Sequence, residues 1–306
     1  MVIFMEYQDL YEKLSILGVA ALVFLFLGFS AWRRQYFQIP TDHFRPPPSL
    51  KIGDVLGIFG LFLFVEVIIV PALAYLYTVF EQGHLSTTVK LNLSKTQQGW
   101  LNLTAILAAA LAVILYTLAM TPSLRRLIYW GTAFPPSLHR AFKAFTVGVG
   151  TWLLSYPAVV IVSQLVGVAL YFLGPLKHVE QTAVQHLKST MESMPLFWTT
   201  TFLIIFIVPL AEETLFRGFL QRWLVQKIGR WKGIALASAL FALFHFSTVQ
   251  GVDNIELLLS LFTLACFLGY IYERQGTLWA PITLHSVFNA VSVLMIIGQE
   301  WSKQYA

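Results

Sequence analysis

Eight stretches of this chain are apolar over most of their length and approach the roughly 20 residues that a helix needs to cross a bilayer core about 30 Å thick. They run from 15 to 32, 55 to 77, 100 to 120, 145 to 172, 196 to about 220, 233 to 249, 255 to 272 and 277 to 297. No water inside the bilayer satisfies exposed N–H and C=O groups, so each stretch is predicted to be a helix. The pattern predicts an all-α fold: a polytopic membrane helix bundle of about eight transmembrane helices. Residues 1–145 would supply three N-terminal accessory spans, and residues 146–298 a core bundle.

Composition supports that reading. Of 306 residues 57% are hydrophobic and 11% charged, with a mean hydropathy of +0.70, whereas soluble domains carry about a quarter charged residues. The net charge of +5, from 20 Lys and Arg against 15 Asp and Glu, is small for a nucleic-acid binder and is more simply a signature of topology. The lone cysteine, Cys266, forbids an internal disulfide and a cysteine-based metal cluster. It is read as a small buried hydrophobe.

Lys and Arg sort by loop. If the loop with Arg33, Arg34, Arg45 and Lys51 is cytoplasmic, then 14 of the 20 basic residues are inside and 6 outside, and both termini are external. Glu6, Asp9 and Glu12 precede the first span and Arg33-Arg34 follows it, the reverse of a secretory signal, so this span is expected to be retained. Pro46-Pro47-Pro48 predicts a stiff extended loop. Val179, Val184, Leu187, Met191 and Met194 recur at roughly helical spacing and predict an interfacial helix on the outer face.

Ionisable side chains inside a span cost at least about 2.5–3.5 kcal/mol each, so each asks for a reason. In Pro209-Leu-Ala-Glu212-Glu213-Thr-Leu-Phe-Arg217 only the 16 residues from Leu196 to Ala211 precede the first carboxylate, which places both glutamates within the membrane. Glu213 and Arg217, four apart, share a helix face and should pair, while Glu212, about 100° away, faces elsewhere. The next span carries Phe241-Ala-Leu-Phe-His245, with the histidine near mid-helix, and the last carries His285-Ser-Val-Phe-Asn289 on one stripe. At 1.5 Å per residue, His285, Glu212 and His245 fall about 12, 15 and 18 Å from the inner ends of their spans, in one layer.

A carboxylate and two imidazoles away from bulk water suit hydrolysis. Glu212 takes a proton from water, a histidine orients that water, and His plus Asn donate to an oxyanion. Two His and a Glu are also a catalytic zinc set, and the spacing does not decide between direct water activation and metal. Each piece alone also has a bland reading: a juxtamembrane charge cluster, or interhelical hydrogen bonds. Glu66, followed by Pro71, is a further intramembrane acid, open between proton relay, substrate contact and interhelical hydrogen bond. Pro157 and Pro209 are expected to kink their helices, and Pro209 to turn the carboxylate inward.

The set Glu212-Glu213-x-x-x-Arg217, Phe241-x-x-x-His245, His285-x-x-x-Asn289 resembles the signature of the CAAX protease and bacteriocin-processing family of intramembrane endopeptidases, which includes the Ras-converting CAAX proteases. The resemblance covers about residues 196–297. It implies a helical bundle with a conical cavity open to the cytoplasm and the lateral membrane. It further implies that Glu212 and His245 activate water, that His285 and Asn289 stabilise the oxyanion, and that Glu213 and Arg217 support them. On that mechanism no cofactor is required, with zinc left open. The implied partners are the lipid bilayer and a membrane-anchored or lipidated, CAAX-like peptide or protein, in a bacterial inner membrane with the active site towards the cytoplasm. The competing class is a non-catalytic scaffold, bacteriocin-immunity protein or transporter that keeps the same polar cluster.

Overall fold

The computed structural model describes residues 2–39, 50–82, 94–131, 137–173 and 179–305, among which the regular structure is all helix. The Pro46–Pro48 run lies outside the described residues. In chain order the helices are α1 (Val2–Arg33), α2 (Ile52–Phe64), α3 (Val70–Gln82), α4 (Lys95–Ala119), α5 (Pro122–Trp130), α6 (Leu138–Tyr171) and α7 (Thr182–Thr190). They continue with α8 (Met194–Phe202), α9 (Val208–Glu213), α10 (Arg222–Ile228), α11 (Arg230–Leu243), α12 (Asp253–Gln275) and α13 (Trp279–Tyr305). π-helical segments Val65–Ile69, Leu203–Ile207 and Thr214–Gln221 join α2 to α3, α8 to α9 and α9 to α10.

Among the described residues, seven stretches are long and apolar enough to cross a membrane: Leu10–Arg33, Ile52–Phe80, Lys95–Ala119, Leu138–Tyr171, Met194–Ile228, Asp253–Gln275 and Trp279–Lys303. The chain is therefore a multi-pass integral membrane protein. The expected span from 233 to 249 is instead the 14-residue helix α11, which stops at Leu243. Beyond it the buried Asn254 side chain accepts from Ser247 N–H and donates to the Ser247 and Gly251 carbonyls, folding 244–252 into a compact loop. Apolar composition alone extended the span too far, because Phe244, Phe246 and Val249 continue the hydrophobic run into that loop.

Two of the π-helical segments have the same local cause. Pro71 and Pro209 each stand two residues after a five-residue π segment. Proline has no N–H to give, so a widened turn upstream spares the helix a clash and leaves a carbonyl for another partner.

The bundle has two chemically different ends. Arg34, Lys51, Arg125, Arg126, Lys143 and Lys227 mark one, where α1 ends, α2 and α6 begin and α5 lies across. At this basic end Tyr36 anchors α1: its hydroxyl meets Thr151 at 2.8 Å, and its carbonyl accepts from Tyr270 and Arg274, each at 2.6 Å. Burial pushes the Tyr36 phenol up to about 12, so it stays neutral. Gly131, at φ +69, closes the same end, where a Cβ would sit 2.0 Å from the Gly276 carbonyl oxygen. The opposite end gathers α7 and the starts of α8 and α12, and carries Glu180, Glu192 and Asp253. The interfacial helix anticipated between 177 and 194 is thus α7, with Leu187 buried beneath it.

Helix α6 lies against α1, α12 and α13, and α11 against α10 and α12. The central core is built from Leu215, Phe216, Phe219, Phe241, Tyr272 and Leu278, among others.

Candidate active site

Short helix α9 sets the site, because it holds Glu212 and Glu213 between two π-helical turns. Such turns widen the helix locally and are common where side chains must be re-aimed. Glu213 points into the core and is fully buried, with Arg217 one turn on at 1% exposure and Nη1 3.2 Å from Glu213 Oε1. The pairing predicted from the i, i+4 spacing is present. Arg217 also donates to the Ala265 carbonyl at 3.1 Å and stacks its guanidinium 4.6 Å from the Phe241 ring centre. Two charges buried together need such extra partners, since desolvation otherwise outweighs their attraction.

Glu213 has a second partner. His285 Nδ1 lies 2.9 Å from its Oε1. A carboxylate there requires Nδ1 to carry a proton, which leaves Nε2 facing the other glutamate. His285 Nε2 is 3.9 Å from Glu212 Oε2, and His245 Nε2 is 3.8 Å from Glu212 Oε1. His245 is oriented in its turn by the Phe241 carbonyl, 2.9 Å from Nδ1. Both rings therefore present Nε2 towards opposite oxygens of Glu212, at separations a bridging water suits better than a direct hydrogen bond. Glu212 Oε2 is buried without a hydrogen-bond partner.

His245 stands two residues past the end of α11, in a turn, rather than at mid-helix as the sequence suggested. The early stop of α11 is what brings its ring out of the helix wall. Asn289, one turn beyond His285, donates its amide N–H to the Ile204 carbonyl at 2.9 Å. The structure thus brings Glu212, His245 and His285 together, sets Glu213 and Arg217 behind them, and places Asn289 at the rim.

The group faces a cavity of about 720 Å³ lined also by Glu66, Asn102, His186, Phe288 and Ser292. Asn102 and His186 carry no motif in the sequence. They meet across the cavity roof, the Asn102 amide 3.2 Å from His186 Nδ1, and only the contact between α4 and α7 reveals them. Glu66 lies on the wall in the π-helical segment before Pro71.

Zinc is the metal that the His, His, Glu combination brings to mind. Among the described residues, however, no group of three or more His, Cys, Asp or Glu side chains is arranged to hold a metal ion. The inward nitrogens of His245 and His285 address different oxygens of Glu212 rather than one common point.

Residues 194–291 match the family of type II CAAX prenyl endopeptidases described as Rce1-like. They form an Rce1-like region. It holds Glu212, Glu213, Arg217, His245, His285 and Asn289, and its limits agree closely with the 196–297 drawn from the motifs. Over 90 residues, 29% of the chain, the protein is 34% identical to the uncharacterized protein YpbD of Bacillus subtilis (strain 168). The match spans 42% of that relative's length. No solved structure matches the chain. The Rce1-like region thus holds the six candidate residues, while α1 to α7 stand outside the matched residues.

Proposed function

We propose that the protein is an intramembrane endopeptidase that cleaves a membrane-anchored or lipidated, CAAX-like peptide with water activated by Glu212. The observation that carries the reading is the convergence of two imidazole Nε2 atoms on the two oxygens of one partly shielded carboxylate. A water held between Glu212 and His245 loses a proton to the carboxylate as its oxygen attacks the scissile carbonyl. His245, its Nδ1–H held by the Phe241 carbonyl, accepts the second hydrogen of that water and fixes its lone pair towards the substrate.

The attack turns the carbonyl into an oxyanion. An imidazolium at His285, its Nδ1–H on Glu213, offers Nε2–H to that oxygen. Asn289 lines the same cavity and would lend the oxyanion a further N–H. Collapse of the tetrahedral species breaks the C–N bond, and Glu212 returns its proton to the departing amine. Glu213 and Arg217 act by positioning.

The Rce1-like region supports the choice of peptide bond and of a membrane-held substrate. A bacterial cytoplasmic membrane fits the relative in Bacillus subtilis. The test is Glu212→Gln, which keeps the shape and removes the base. Peptide cleavage by the purified variant should be abolished while its melting temperature in detergent is unchanged. Cleavage at the wild-type rate would sink the assignment of Glu212.

A further inference from the structure

We propose that His186 and Gln250 form a subsite of the cavity that holds the substrate by its backbone: Nε2–H of His186 donates to a peptide carbonyl, and Oε1 of Gln250 accepts from a peptide N–H. This rests on the hydrolytic reading above and names the part of the wall that grips the peptide while Glu212 and His245 act on it.

Two buried polar atoms carry the inference. Gln250 is 2% exposed, and its Oε1 has no hydrogen-bond partner among the described residues. His186 Nε2 is likewise buried without a partner among them. Both residues line the cavity that contains Glu212. A buried polar atom left unpaired costs stability, so it asks for a partner that arrives from outside.

Neighbouring groups fix what each atom can do. The Asn102 amide nitrogen, 3.2 Å from His186 Nδ1, can only donate, so Nδ1 accepts and the ring proton sits on Nε2. His186 therefore presents a donor and Gln250 an acceptor. The main chain of Gln250 is already engaged. Its N–H reaches the Ser247 carbonyl at 3.2 Å, and its carbonyl accepts from Asp253 N–H at 3.1 Å.

His186 stands on α7 and Gln250 in the 244–252 loop, five residues after His245. These two pieces of chain adjoin. The Thr182 hydroxyl of α7 meets the Ser247 hydroxyl of the loop at 3.5 Å, and Val179 N–H, just ahead of α7, donates to Asp253 at 2.6 Å, just past the loop. The loop that carries His245 to Glu212 thus also carries half of the subsite.

The substrate supplies the complement. A peptide bond laid open to water lies in an extended stretch, where the chain satisfies none of its own N–H and C=O groups. Much of the remaining wall is apolar, with Leu257, Leu261, Leu264, Phe288 and Val293, and lipid offers those groups nothing. A donor and an acceptor on the wall match the alternating C=O and N–H of an extended chain, as a sheet edge does when it captures a strand. Holding by the main chain is blind to side chains, so selection among substrates falls to apolar fit against those leucines and Phe288.

The test measures binding by the full chain in detergent, in a Glu212→Gln background so that nothing is cut. The probe is a fluorophore-tagged S-farnesyl-Cys-Val-Leu-Ser peptide, with a set of esters of it in which the Val, Leu or Ser N–H is replaced in turn by oxygen. Gln250→Met and His186→Phe should each weaken probe binding by about fivefold to tenfold, the worth of one neutral hydrogen bond. One ester should bind more weakly than the amide probe by a similar factor, and in Gln250→Met that ester and the amide should bind alike. Without probe, Gln250→Met should melt no lower than its parent, because it removes an atom that the unliganded protein leaves unpaired, whereas loss of a merely structural glutamine would lower the melting temperature. Unchanged probe binding in both variants, an ester penalty that persists in Gln250→Met, or a parent that binds no probe overturns the inference. The expected binding pattern without any cleavage of the amide probe by the wild type would instead remove the hydrolytic reading and leave the subsite standing.

Discussion

Asn289 donates its side-chain N–H to the carbonyl of Ile204 on the facing span, at 2.9 Å. In the π register there, Val208 N–H serves Leu203, so the donor due to Ile204 would be residue 209, which is proline. Asn289 thus supplies from another helix the hydrogen that Pro209 lacks, and locks the end of the π turn one helical turn above His285. Asn289→Ala should cost about 1–3 kcal/mol of stability by orphaning that carbonyl. Adding Pro209→Ala restores a backbone N–H and should recover most of the loss in a detergent melt. Activity should stay depressed by about 10²- to 10³-fold if the amide also serves the oxyanion. Recovery of both together would reduce Asn289 to a structural residue.

Glu213 is shared by Arg217 and His285, and its removal strands a buried guanidinium. Glu213→Gln should destabilise the protein by about 3–5 kcal/mol. The double variant Glu213→Gln/Arg217→Met removes both charges and should regain much of that stability. It should not regain cleavage, since His285 has then lost the carboxylate that holds its Nδ1 proton. Equal rescue of folding and turnover would show that His285 needs no such partner.

Because among the described residues no triad of metal-binding side chains is arranged at Glu212, cleavage by the purified protein should survive prolonged dialysis against a strong chelator. Loss of turnover that returned on adding zinc, with metal and protein in equal amounts by elemental analysis, would refute the direct water mechanism.

The docking of α7, whose Val184 and His186 roof the cavity, should respond to acid. Burial holds the His186 imidazole below its ordinary 6.5, so the docked α7 prefers it neutral, while the undocked helix binds a proton more readily. Fewer protons on the docked form mean that docking is stable above about pH 6.5 and weakens as pH falls below it. Maleimide labelling of Ser292→Cys, normalised to Gln185→Cys, should therefore accelerate between pH 7 and pH 5. In His186→Gln that acceleration should vanish. An unchanged ratio across the window would separate His186 from the roof.

Much of this was readable from the chain itself. The Glu213–Arg217 pair follows from spacing alone, because residues four apart on a helix meet wherever that helix is buried. The meeting of Glu212, His245 and His285 was foreshadowed by counting depth along three helices. Other features depend on chemistry that hydropathy does not register. The end of α11 at Leu243 is enforced by Asn254, a polar residue ten positions downstream whose side chain captures the loop backbone. The partner of Asn289 follows from a missing proton on Pro209, and the roof from a contact between Asn102 and His186, which are 84 residues apart.

The brevity of α11 has one more consequence. A 14-residue helix is about 21 Å long, well short of the hydrocarbon slab, so the peptide groups of 244–252 descend into a zone where lipid offers them nothing. The N–H groups of Phe244, His245, Phe246 and Gln250 turn back to the carbonyls of Leu240, Ala242, Leu243 and Ser247, and the Asn254 side chain meets Ser247 and Gly251. An unfinished crossing thereby completes itself: the loop that stands in for its outer half carries its own hydrogen bonds and turns the His245 ring towards Glu212.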